Sequence, residues 1–228
     1  MSQISASQDL GRRRYDMACP IASALDQVGE RWTLLILREL LPGPLRFSTL
    51  KSTILGINAT ILSRRLDQMA TEGLVRLADG GDQTGYAATA RAATLWPILV
   101  ALAGWGLTKS LGGAPGLEGA TVETGLTPAA AVTAFVALRP PSAPRRPIGF
   151  TLQGPRLEWS PEQPMPLVRC PGRSALEVTA SPETLLSLVA GRLSLAEARA
   201  RDLIALEGEA GLLTDHLPEP VGRRPEAR

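Results

Sequence analysis

Along the first hundred residues, apolar positions recur with helical spacing between glycine and proline breaks. Cys19-Pro20 opens a helix to about Val28, because proline suits a first helical position where its missing N–H costs nothing. Gly29 ends it. RWTLLILRELL (Arg31–Leu41) is apolar on most sides, which predicts a central, buried helix stopped by Pro42-Gly43-Pro44. RFSTLKSTI (Arg46–Ile54) sets Phe47, Leu50 and Ile54 on one stripe, a short helix. After a turn at Leu55-Gly56-Ile57, Asn58 caps a helix over about Ala59–Glu72, ended by Gly73. LVRLA (Leu74–Ala78), a DGGDQTG turn and YAAT (Tyr86–Thr89) alternate as a β-hairpin. Short helix, turn, longer helix and hairpin make a winged helix-turn-helix.

Beyond Leu107 the pattern changes. GGAPGLEGATVETGLTP (Gly112–Pro128) has no sustained periodicity and reads as a linker, RPPSAPRRP (Arg139–Pro147) as a second break, and PEPVGRRPEAR (Pro218–Arg228) as a disordered polar tail. Between them, PAAAVTAFVAL (Pro128–Leu138) reads as a helix. IGFTLQG, RLEW, PLVRC and ALEVTA are short alternating segments suited to an antiparallel sheet. SPETLLSLVAGRL, a helix capped by Ser181, then LSLAEARA, the strand LIALEGE and the short helix GLLTDHL complete an α+β unit. The expected organisation is α+β throughout: a winged helix-turn-helix DNA-binding and dimerisation domain over residues 16–110, a linker over 111–127, a small α+β domain over 128–217 and a tail over 218–228.

Composition narrows the chemistry. The only histidine is His216, so a histidine-based triad or multi-histidine metal site is excluded, and neither a metal nor a cofactor is expected. Cys19 and Cys170 cannot build a disulfide framework, which points to a reducing cytoplasm. The apolar run Leu95–Leu107 is short for a bilayer, so no membrane partner is expected. Of the 24 basic residues only Lys51 and Lys109 are lysines, so arginine abundance reflects coding bias more than phosphate binding. Residues 1–111 carry 12 basic and 9 acidic side chains and the rest 12 and 13, a front half mildly suited to DNA.

On a helical wheel from Asn58, Ile61, Leu62, Leu66 and Met69 share one sector, with Thr60, Ser63, Arg64 and Asp67 opposite. Arg65 falls inside the apolar sector, so it is expected to snorkel or to pair with a carboxylate in the fold, a structural role rather than a base-reading one. Thr60, Ser63 and Arg64 suit base edges and phosphates; the bland alternative is a solvated face with an Arg64–Asp67 pair. LWPILVALAGWGL (Leu95–Leu107) is apolar nearly all round, so it demands cover from a second copy of the chain or from the second domain.

CPIASALDQVGERWTLLILRELLPGPLRFSTLKSTILGINATILSRRLDQMATEGLV resembles the HxlR-type branch of the MarR-like winged-helix regulators. The Cys-Pro start, the Trp-Thr-Leu-Leu-Ile-Leu-Arg helix, Gly-Pro then Arg-Phe, and Leu-Ser-x-Arg-Leu carry the likeness over about residues 16–107. It implies a homodimeric bacterial transcriptional regulator with a recognition helix in the major groove. Thr60, Ser63 and Arg64 would lie nearest the bases, beside the cap Asn58, and Ser48, Thr49 and Lys51 would touch the backbone. The hairpin departs from the family: Ala88 and Ala92 replace Leu and Gly, and the tip carries Asp79 and Asp82, which phosphates would repel. Several members of the family sense oxidants through a cysteine placed like Cys19, at a helix start where backbone dipoles favour a thiolate; the plain alternative is a small residue that begins a helix.

The stretch TASPETLLSLVAGRLSLAEARARDLIALEGEAGLLTDHL resembles sterol-carrier-protein-type lipid-binding domains. The resemblance implies a cavity for an apolar effector, with Phe135, Phe150, Leu152 and Trp159 either lining it or simply forming core. Three functions are compatible with these features. The first is a dimeric regulator of double-stranded DNA, controlled by an apolar effector or by Cys19. The second is a sequestering or resistance protein that has lost DNA recognition, suggested by the acidic wing. An enzyme using Glu158, Glu177 or Glu183 is the weakest, because no spacing singles out a pair, and no enzymatic role is expected.

Overall fold

The computed structural model describes residues 15–78, 85–111, 125–163 and 167–217. The hairpin tip with Asp79 and Asp82, most of the expected linker and the tail from Pro218 lie outside these residues.

The first unit runs α1 (Pro20–Val28), α2 (Thr33–Leu40), α3 (Phe47–Thr53), α4 (Ala59–Thr71), β1 (Val75–Ala78), β2 (Gly85–Ala88), α5 (Ala90–Ala93) and α6 (Trp96–Leu111). Helix α2 is its axis. Ile36, Leu37 and Leu40 are fully buried and meet Leu50 and Ile54 from α3, Ile57 from the turn, and Leu62, Leu66 and Met69 from α4. Each such side chain contributes about 1.5–3 kcal/mol on leaving water. The expected cap is present: the Asn58 side chain accepts the Ile61 N–H at 2.8 Å. Strands β1 and β2 pair antiparallel from Val75↔Ala88 to Ala78↔Gly85. Leu45 forms an isolated antiparallel bridge to this hairpin through two hydrogen bonds with Tyr86. A Cβ at position 85 would sit 2.9 Å from the Leu45 carbonyl oxygen, so this close crossing requires Gly85.

The second unit contains α7 (Pro128–Leu138), β3 (Ile148–Thr151), β4 (Leu157–Trp159), β5 (Leu167–Arg169), β6 (Leu176–Ala180), α8 (Pro182–Val189), α9 (Leu195–Ala200), β7 (Ile204–Gly208) and α10 (Ala210–His216). Its strands follow the order β5-β4-β3-β6-β7. The sheet is mixed rather than antiparallel, because β6 returns beside β3 in parallel, Ile148↔Leu176 to Thr151↔Thr179. Alternation marks a strand but not its partner. Helix α8 ends at Val189, before Gly191 (φ +67°), shorter than the apolar run suggests.

One sheet face is apolar. Phe135 of α7 meets Phe150 edge-on at 5.1 Å and Trp159 at 6.1 Å between ring centroids, and Leu152 is fully buried in the same cluster. All four residues considered as a ligand lining are thus buried core side chains, three of them in ring contact through Phe135. His216 stacks on Phe135 at 5.5 Å and its Nδ1–H donates to the Leu212 carbonyl, 2.7 Å away, so the sole histidine belongs to this core. Burial pushes its pKa down.

The opposite face is polar. Glu158, Gly149 and Glu177 stand in register on β4, β3 and β6. The Arg156 guanidinium lies over Gly149, 2.9 and 2.7 Å from the Glu177 oxygens, 3.1 Å from Glu158 and 2.6 Å from Ser174 Oγ. A Cβ at position 149 would come within 2.1 Å of Glu177 Oε2, so a larger residue would push aside the paired ends of Glu177 and Arg156. The Arg156 hydrogen bonds hold the Glu177 carboxyl below the usual carboxylate range.

The two units share buried structure. α6 packs along α7, and one apolar cluster runs from Leu41, Ala93, Trp96 and Leu99 into Val132, Phe135 and Ile148. The end of the expected linker is packed as well: Leu126 and Thr127 are buried, and Thr127 caps α7. Residues 90–107 are long and apolar enough for a membrane span, but the helix breaks at Thr94-Leu95 between α5 and α6.

Candidate nucleic-acid interface

Helix α4 separates its residues as a half-exposed helix must. Leu62, Leu66 and Met69 face α2 and are buried, while Thr60, Ser63, Arg64 and Asp67 are exposed. Among the described residues Arg64 makes no ion pair; the bland Arg64–Asp67 pairing is not formed, so the guanidinium is available to an external acceptor. Ile61 departs from the wheel. It sits at the margin of the apolar sector next to Arg64 and is 40% exposed. An exposed isoleucine beside a hydroxyl and a guanidinium is a surface that can meet a thymine methyl, and the sequence pattern alone assigned it to the core.

Arg65 has the expected opposite role. Its Nη2 donates to Glu30 at 2.9 Å and its Nη1 to Gln68 at 2.7 Å, tying α4 to the α1–α2 turn. Asn58 is exposed, with its side-chain oxygen engaged in the cap, so only its amide NH2 is left for another acceptor. Ser48 and Thr49 on α3 are exposed and Lys51 is half-buried. The first turn of α4 adds N–H groups that lack intrahelical acceptors, the usual setting for a phosphate oxygen. On the hairpin, Arg76 and Leu77 of β1 face outward.

Two further surfaces bear on assembly. Ile98, Leu102 and Trp105 are 45%, 44% and 64% exposed and form one stripe of α6, on the side away from α7. Met17, Ile21 and Leu25 add apolar surface at α1. Cys19, the N-cap of α1, is a free, partly exposed thiol that makes no side-chain cap bond. Among the described residues no group of histidine, cysteine and acidic side chains could hold a metal ion.

The sequence profile of the HxlR-like helix-turn-helix family matches residues 27–110, which span α2 through α6 and thus the whole helix-turn-helix and hairpin. An HTH-type transcriptional regulator of Synechocystis is 31% identical over 87 residues, 37% of this chain; the chain spans 64% of that relative's length. The HTH-type transcriptional regulator YvaP of Bacillus subtilis is 31% identical over 91 residues, covering 38% of this chain and 84% of YvaP. The quinone-bound structure of YodB from B. subtilis is 28% identical, covers 38% of this chain and 96% of that one, and has a TM-score of 0.35. The matched segment contains α3, α4 and the hairpin, and the chain belongs to the HxlR-like helix-turn-helix family of transcriptional regulators.

Proposed function

We propose that the protein is a dimeric, DNA-binding transcriptional regulator that reads double-stranded DNA with α4. The observation that carries this reading is the unpaired Arg64 on the exposed Thr60–Ser63–Arg64 arc, set on a capped helix whose other face is fixed to α2. In the major groove such an arc offers two hydroxyls and a forked donor to base edges, with Ile61 against a methyl group. Ser48, Thr49 and Lys51 and the amide of Asn58 contact phosphates and hold the register. A second copy of the chain covers the α6 stripe and the α1 surface, which places two α4 helices about one turn of DNA apart.

The second unit is the regulatory part of this reading. Its resemblance to sterol-carrier-protein-type domains supports an apolar effector; the effector would act only by favouring one dimer geometry. Cys19, a free thiol beside the exposed surface of α1, supports oxidation as a second input. The sequestering alternative rests on Asp79 and Asp82, which lie outside the described residues.

The test is a fluorescence polarisation titration of the full chain with a labelled duplex from upstream of its own gene and a shuffled duplex, at two salt concentrations. Tighter binding to the upstream duplex, weakening steeply with salt, is the expected result. Equal or negligible binding to both would refute the regulator.

A further inference from the structure

The α2–α3 connection satisfies itself only in part. Its Gly43 N–H donates to the Leu40 carbonyl at 3.1 Å, but Pro42 and Pro44 have no N–H to offer the remaining carbonyls at the end of α2. The second unit supplies the donors. Arg169, at the end of edge strand β5, donates its backbone N–H to the Pro42 carbonyl at 2.5 Å, its Nη2 to Glu39 O at 3.0 Å and its Nη1 to Gly43 O at 2.9 Å. A second contact lies beside it. The Glu39 carboxylate, in a residue only 2% exposed, accepts from Thr127 Oγ1, the cap of α7, and from Arg38 Nε, each at 2.7 Å.

The gripped segment leads directly into the DNA-reading elements. Two residues beyond Gly43, Leu45 exchanges two hydrogen bonds with Tyr86 of the hairpin; Arg46 is the N-cap of α3. The position of Pro42-Gly43-Pro44 therefore sets both the hairpin and the first helix of the helix-turn-helix. On the other side of the grip, β5 is backed by the polar sheet face: the carbonyl of Cys170, next to Arg169, accepts from Arg156 Nη1 at 3.2 Å, and Arg156 is anchored on β6 through Glu177.

We infer that Arg169 is a positioning residue through which the second unit sets the geometry of the DNA-reading elements, so that anything displacing β5 changes DNA recognition without touching DNA. This inference rests on the DNA-binding reading above. A guanidinium that spans two carbonyls fixes both distance and angle, which a lysine, a single point donor, cannot reproduce. Coupling of this kind is reciprocal, so DNA held by α4 must in turn steady β5.

The experiment uses the full chain and its Arg169→Ala, Arg169→Lys and Arg173→Ala variants; Arg173 is an exposed neighbour paired with Glu207 at 3.5 Å on the surface. Polarisation titrations with the upstream and shuffled duplexes are combined with amide hydrogen exchange, with and without the upstream duplex. Arg169→Ala should lower affinity for the upstream duplex about tenfold, within the usual range of site-to-site coupling, while binding to the shuffled duplex changes little. Arg169→Lys should fall between, and Arg173→Ala should match the unaltered chain. In the unaltered chain, the duplex should slow exchange at residues 167–169; without DNA, Arg169→Ala should speed exchange at Leu45 and Tyr86. A merely weaker fold would lower both affinities together and would give no DNA-dependent protection at β5; that outcome overturns the inference, as does unchanged binding by Arg169→Ala. If the unaltered chain binds neither duplex, the regulator reading itself fails and this inference falls with it.

Discussion

Arg64 and Arg65 are neighbours in the chain with opposite surroundings: one is exposed and unpaired among the described residues, the other is tied to Glu30 and Gln68. The contrast gives a paired prediction. Arg64→Ala should leave thermal stability unchanged and cost about 1–3 kcal/mol of binding to the specific duplex, the value of a good base contact. Arg65→Ala should instead lower the melting temperature, because it leaves Glu30 and Gln68 without their common donor. Binding titrations alongside thermal melts separate the two. His216 supports a second prediction. Its buried ring holds a lowered pKa, so the unfolded chain takes up the proton first and stability declines as pH falls below about 6.5, toward the folded-state pKa. Above that range this contribution is constant. His216→Phe, which keeps the stacked ring, should flatten urea-derived stability between about pH 5 and 6.5; an unchanged slope would mean that other groups cause it.

Elements carry the assembly. The stripe Ile98, Leu102 and Trp105 exposes three large apolar side chains on one helix face, more than a lone surface residue needs. A Leu102→Glu, Trp105→Glu double variant should move the chain from dimer to monomer in sedimentation velocity while leaving its circular dichroism intact. Dimers that persist would place the interface elsewhere. At this scale the sequence was most informative where periodicity and caps coincide. Asn58 and Ser181 each open a helix where such a residue precedes an apolar run, as read from the sequence. It was least informative where tertiary contacts decide. Ile61 belongs to the apolar sector of the helical wheel and is nevertheless 40% exposed. The parallel β3–β6 pairing depends on a return of the chain that alternation does not encode. Glu39 reads as an ordinary helix acid and is in fact buried, its partner Thr127 lying 88 residues away.

For the whole molecule, the boundary between the units is chemically specific as well as packed. Leu41, Trp96 and Leu99 share one apolar cluster with Val132 and Phe135, and Arg169 and Thr127 bond to α2 across the same seam. Units joined this way should unfold together, so urea curves followed by tryptophan fluorescence and far-ultraviolet circular dichroism should coincide. Two separated transitions would show that the seam contributes little. The central claim, that α4 reads duplex DNA through Arg64 and its neighbours from a paired scaffold, is tested most directly by dimethyl sulfate protection on the upstream duplex. Guanine N7 lies in the major groove, so bound protein should protect two clusters of guanines about one helical turn apart, and Arg64→Ala should lose protection in both. Binding that leaves every guanine N7 reactive, or protection that survives in Arg64→Ala, would contradict it.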